Sequence, residues 1–260
     1  MAEALFVGTD FDGTTHLTSE PAPDGSTVEL AYEMAIDAHL GPDAVDVFVN
    51  DQGGHRSRDP NEIVASLLPQ DVDEATVDRF TRKVVESKLE ILEPSIGMPL
   101  ADGTPWPRPT PGFAPLWRAI STAKEAGVLI GAATLSAGHT DFQKKVFSVH
   151  GLEYPDIFMT YDVLRAMCPD IPHEDLAKPS PFMLTVAREA WKFGQQVQGR
   201  EINTIKTFMA GDSNEKDGGL ARAANIPFYL INAEDGSLAW ACLGGALGFS
   251  IETIREIQRG

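Results

Sequence analysis

Five short apolar runs constrain this chain more than any other feature. Residues 5–7, 128–133, 157–160, 204–210 and 227–231 each end in polar, small or acidic side chains. Strands that are apolar on both faces belong inside a parallel sheet. Helical patterns fill the gaps between them. Residues 115–126 (PLWRAISTAKEA) carry apolar side chains at helical spacing and stop at Gly127. Ser180 precedes a second helix, residues 181–193, with Pro181 at a favourable first position and Gly194 expected beyond its end. Residues 217–225 make a third. This alternation predicts an α/β fold, a Rossmann-like doubly wound parallel sheet.

One segment breaks the alternation. Residues 18–108 read as a mostly helical domain inserted after the first strand, which leaves 1–17 and 109–260 as the α/β core. Ser26 is placed to cap a helix running to Leu40, with Glu29 completing a capping box. Residues 59–68 and 73–92 read as two more helices, the second amphipathic and strongly charged. The proline-dense stretch 94–111 reads as a stiff connector.

Composition narrows the partners. The formal net charge is −17 over 260 residues. Such a surface repels nucleic acid and anionic membrane, and it holds off anionic substrates unless a metal ion or local basic groups admit them. Cys168 and Cys242 stand far apart, with no zinc spacing, and read as reduced and structural. The N-terminus lacks a basic, long-apolar leader, and no run approaches the ~18 apolar residues of a membrane span. A cytoplasmic location is expected.

Four motifs carry chemistry, three at strand ends, where open α/β sheets bind ligands, and one close to such an end. The first is Asp10-Phe11-Asp12-Gly13-Thr14. Two neighbouring carboxylates repel, so they recruit a cation or divide into acid and base. A strand end followed by an Asp-Gly turn is the plainer reading. The second is Gly211-Asp212-Ser213-Asn214-Glu215-Lys216-Asp217. Its hard oxygen ligands suit Mg²⁺, although acids at a helix start are also favoured by the dipole. The third is Lys178-Pro179-Ser180-Pro181, a lysine held at a stiffened helix entry, where it can neutralise an aspartate or a phosphate. The fourth is Thr134, whose hydroxyl could donate to a phosphate oxygen, helped by the backbone of Leu135 and Ser136. Ser136 is the competing donor. His16 reads as a surface or hinge residue, and His139 carries no stronger claim.

In this chain order the four motifs resemble the haloacid-dehalogenase superfamily of aspartate-dependent phosphohydrolases. The likeness covers residues 4–17 and about 110–235, and the insertion sits where that family places its C1 cap. The resemblance implies Asp10 as the nucleophile and Asp12 as the acid and base. It implies that Thr134 and Lys178 hold the phosphoryl oxygens, with Gly13 and Thr14 on the substrate side. Asp212 and Asp217, with Asp10 and the carbonyl of Asp12, would hold Mg²⁺. The spacing from Asp212 to Asp217 is the longer of the family's variants, so Glu215 or Asn214 could share the metal. Thr15 stands where the family more often has leucine or isoleucine.

In the insertion, NDQGGHRSRDP (50–60) loosely resembles the cap loop of phosphosugar enzymes, with Arg56 or Arg58 to bind a second anion. The expected activity is Mg²⁺-dependent hydrolysis of a small soluble phosphomonoester. A phosphomutase of a sugar phosphate would use the same residues, and a binding protein that kept the fold is a third reading. A dehalogenase has no need of Asp12. A phosphonate hydrolase would call on a cap lysine; Lys83 and Lys88 are available, and nothing in the sequence marks either as desolvated.

Overall fold

The computed structural model describes residues 2–51 and 60–260. The chain divides into two compact units, Met1–Leu17 with Arg108–Gly260, and Thr18–Pro107.

The first unit is built on five strands: β1 (Ala2–Thr9), β2 (Ile130–Ser136), β3 (Ile157–Thr160), β4 (Ile202–Gly211) and β5 (Phe228–Leu230). They form one sheet in the order β3-β2-β1-β4-β5, every pairing parallel. The five apolar runs are these strands. In the second unit lie α1 (Val28–Leu40), α2 (Pro42–Asp46), α3 (Pro60–Leu67) and α4 (Glu74–Leu92). The first unit carries α5 (Phe113–Glu125), α6 (Thr140–Val149), α7 (Tyr161–Met167), α8 (His173–Leu176), α9 (Phe182–Val197), α10 (Lys216–Ala223), α11 (Ser237–Ala246) and α12 (Ile251–Arg259).

Both faces of the sheet are covered, so the fold is α/β and doubly wound. Ala4 and Phe6 of β1 share one buried layer with Leu135, Met209, Leu184 and Trp191. Aromatic rings fill a second cluster in this unit. Phe113 packs against Trp117, Phe147 and Trp240 at centroid distances of 5.2, 6.1 and 5.4 Å. His16 is fully buried in that cluster, stacked on Phe11 at 5.1 Å. Of the expected surface or hinge position, the surface one is therefore corrected. Flanked by Phe113 and Phe147, the ring is costly to charge, and burial, then the neighbouring His150, hold its pKa well below the usual histidine value.

Two helix boundaries differ from expectation. α9 runs through Gly194 to Val197, and the left-handed glycine beyond it is Gly199, φ +77°. Glycine ends a helix only where the backbone takes that conformation, and Gly194 does not. The cap of α1 is Thr27, not Ser26: its side chain accepts from the Leu30 N–H. Thr27 has the extended backbone an N-cap requires, φ −131° and ψ 160°. Asp73 caps α4 in the same way, accepting from Thr76 at 2.7 Å.

The second unit has its own core, including Tyr32, Ile36, Phe48, Ile63, Val84, Val85, Leu92 and Trp106. The Trp106 indole donates to the Glu20 carbonyl at 2.8 Å. Lys88 is buried after all, with its ammonium 4.5 Å from the centre of the Tyr32 ring. Among the described residues, no helix is long and apolar enough to cross a membrane.

Candidate active site

β1 lies in the middle of the sheet, so whatever follows it stands at the centre of the carboxyl edge. Asp10 is the first residue past β1, and its N–H donates to the Ala210 carbonyl of β4 at 2.9 Å. The chain then turns tightly. Thr14, Thr15 and His16 all donate backbone N–H groups to the Phe11 carbonyl. Gly13 has φ +74°, and a Cβ there would lie 2.6 Å from an Asp212 carboxylate oxygen. Glycine is thus required twice, for the turn and for the approach of Asp212. Thr110, from the proline-rich stretch, braces the turn. Its hydroxyl donates to the Thr14 carbonyl at 2.5 Å and accepts from the Trp240 indole at 3.1 Å.

Lys178 reaches this edge from the loop before α9. Its Nζ donates to Asp10 Oδ1 at 2.5 Å and to Asp217 Oδ1 at 2.7 Å. Asp217 is buried in the first turn of α10, where its other oxygen accepts the Ser213 N–H at 3.1 Å. A carboxylate there is favoured by the helix dipole. Gly211 makes room for it, because a Cβ at that position would sit 2.3 Å from Asp217 Oδ2. The hydroxyl of Thr14 stands 3.4 Å from Asp10 Oδ2 and 3.5 Å from Asp212 Oδ1.

Asp10, Asp212 and Asp217 each offer an oxygen within 4.8 Å of the others. The side chain of Asp12 is exposed and stands outside this triad. Asn214 is tied to Arg222, whose guanidinium donates to its side-chain oxygen at 3.2 Å and its carbonyl at 2.9 Å. Glu215 is exposed just ahead of α10.

Thr134 is placed differently from expectation. It lies two residues short of the end of β2, fully buried, and its hydroxyl donates to Gln143 Oε1 at 2.7 Å. Leu135 belongs to the apolar layer under α9. Ser136 is the residue at the strand end, where its Oγ accepts the Gly138 N–H at 2.9 Å. A Cβ built on Gly138 would lie 3.1 Å from Ser136 Oγ and 3.5 Å from Asp12 Oδ2, so serine and aspartate flank one small space. Arg56 and Arg58 lie outside the described residues. Gly138, Thr110 and Gln143 are site residues that the sequence reading missed; none sits in a charged motif.

No protein-family model and no curated protein sequence matches the chain. Solved structures do. A haloacid dehalogenase-like hydrolase from Bacteroides fragilis is 16% identical over 89% of each chain, with a TM-score of 0.51. The fold is that of the haloacid-dehalogenase hydrolases. CbbY from Rhodobacter sphaeroides, solved in complex with phosphate, is 18% identical over 87% of this chain and 85% of that one, TM-score 0.49. A phosphatase of the same superfamily from Thermococcus onnurineus is 18% identical over 89% and 86%, TM-score 0.48.

In this haloacid-dehalogenase fold the charges do not balance by themselves. Three carboxylates face one lysine, an excess of two negative charges when all are ionised. Burial is the largest influence on Asp10 and raises its pKa from 3.8 to about 8. Lys178 opposes the rise, while Asp217, Asp212 and Asp12 add to it. Asp212 is raised too, by burial and then by Asp217. Burial by itself would lower the Lys178 pKa, but Asp10 and Asp217 outweigh it, so the ammonium stays charged. A divalent cation suits the site, since it matches the excess charge with hard oxygen ligands.

A pH dependence follows. Asp10 with a raised pKa favours the folded state at low pH, and that contribution fades as pH rises from about 4 towards about 8. A cation must displace its proton below about pH 8, so binding strengthens with pH. The rise in melting temperature produced by saturating Mg²⁺ is expected to be larger at pH 9 than at pH 6, by differential scanning fluorimetry. An equal rise at both values would remove Asp10 from the cation's ligands.

Proposed function

We propose that this protein is a Mg²⁺-dependent phosphatase acting on a small, soluble phosphomonoester. The observation that carries the reading is the double contact of Lys178 with Asp10 and Asp217, beside an Asp212 carboxylate, at the carboxyl edge of the central strand. Asp10 is the nucleophile: the oxygen not held by Lys178 attacks phosphorus, an Asp10–phosphorus bond forms, and the ester oxygen leaves. Asp12 gives that oxygen a proton and then takes one from the water that releases phosphate. Lys178 holds the attacking carboxylate in place and offsets charge on the transferring group. Mg²⁺, held by Asp10, Asp212 and Asp217 with the carbonyl of Asp12, would supply charge neutralisation at the phosphoryl oxygens. Ser136 takes the oxygen-holding role first assigned to Thr134, because its hydroxyl stands at the strand end beside Asp12. The second unit, residues 18–107, serves as the cap that selects substrate, with Arg56 or Arg58 for a second anionic group.

A panel of phosphorylated metabolites, assayed for free phosphate with Mg²⁺ and with EDTA, tests the reading. Phosphate release from one or more members, abolished by EDTA and restored by excess Mg²⁺, is expected. Isomerised product without phosphate would mark a mutase, and no turnover of any member would sink both.

A further inference from the structure

Gln143 is a buried side chain with one end unexplained. It is fully buried on α6, and its Oε1 accepts the Thr134 hydroxyl. Among the described residues its Nε2 has no hydrogen-bond partner. A buried amide N–H left unpaired costs free energy, and native structures keep few of them without a reason. This one borders the candidate site. A Cβ on Gly138 would lie 3.7 Å from Gln143 Nε2, in the same small space flanked by Ser136 Oγ and Asp12 Oδ2. The Asp12 carboxylate on that side favours the amide's N–H end there over its carbonyl end.

We propose that Gln143 is a further catalytic residue, which donates from Nε2 to an oxygen of the bound phosphoryl group alongside the Ser136 hydroxyl. This rests on the phosphatase reading for the chemistry, but the binding claim stands on the geometry alone. The Gly138 N–H already donates to Ser136 Oγ, so the serine's own hydrogen is left to be given away. Serine and glutamine thus stand as two donors beside a glycine, where any side chain would crowd Ser136 Oγ. Neutral donors suit the position. They hold an anionic oxygen without adding charge that would compete with Lys178 for the carboxylates. Thr134 then acts through Gln143 as a positioning residue: its hydroxyl fixes the amide's orientation by binding the carbonyl end.

The test combines binding, spectroscopy and turnover. Wild type, Gln143→Leu, Thr134→Val and Thr134→Ser are titrated calorimetrically with inorganic phosphate in the presence of Mg²⁺. They are also assayed on p-nitrophenyl phosphate. Gln143→Leu is expected to bind phosphate about 10- to 100-fold more weakly, with a comparable loss in kcat/KM. Thr134→Val should lose several-fold, and Thr134→Ser should recover most of it. In the ¹⁵N spectrum of the wild type, the side-chain amide pair missing from Gln143→Leu should shift when phosphate is added, a readout that survives if the variant folds poorly. Wild-type phosphate affinity in Gln143→Leu, an amide pair that phosphate does not move, or a wild type that binds no phosphate would each overturn the proposal. If phosphate moves the amide but no ester is hydrolysed, the phosphatase reading fails and the donor remains. Turnover with an unmoved amide means the reverse.

Discussion

The Asp10→Asn protein is expected to fold and to hydrolyse nothing. The amide keeps the shape of the side chain but cannot attack phosphorus, so turnover of p-nitrophenyl phosphate should fall roughly 10⁴-fold or more. Stability should not suffer. The wild-type carboxylate is buried with Asp212 and Asp217 close by, and burial already pushes its pKa to about 8. A neutral amide removes one member of a crowded set of like charges, while Lys178 keeps Asp217 at 2.7 Å. Without Mg²⁺, at pH 8, the variant should melt at or above the wild-type temperature. Phosphate release within tenfold of wild type would move the nucleophile elsewhere.

Lys178→Met should produce the opposite balance. Turnover should drop about 10³-fold, because the nucleophile loses its anchor and the transferring group loses a positive neighbour. Stability should fall as well. The side chain of Lys178 is only 10% exposed, and its removal leaves Asp10 and Asp217 buried without their shared partner. Stripping one member from a buried ion pair costs about 3–5 kcal/mol. Mg²⁺ should therefore raise the melting temperature of Lys178→Met by more than it raises that of the wild type. If Mg²⁺ stabilises both equally, the lysine and the cation do not answer the same carboxylates.

The fold was legible because parallel strands are buried on both faces and so read as apolar runs, while helices read at their own period. Asp10, Lys178, Asp212 and Asp217 were legible because charge next to a strand end or a stiff helix entry is costly and stands out. Boundaries were harder. Ser26 and Thr27 are both good caps, and only the backbone angles decide between them. Thr134 and Ser136 are both hydroxyl residues near the end of β2, and the sequence carries no sign of Gln143, which claims the first. Gln143 itself left no trace: a single uncharged residue inside a helix becomes notable only when its neighbours in space are known. The burial of Lys88 and His16 was hidden for the same reason. Their surroundings come from segments distant in the chain.

The central place of β1 has a consequence for the chain as it is made. In the order of synthesis this strand comes well before its two neighbours in the sheet, β2 and β4, which begin only at Ile130 and Ile202. Until those partners arrive, this apolar segment has neither neighbour to pair with, and unpaired apolar strands stick to their copies. Asp10 and Asp12 follow it immediately, and flanking charge of this kind discourages such self-association. The same two carboxylates thus bear on the unfinished polypeptide before the sheet edge they stand on exists.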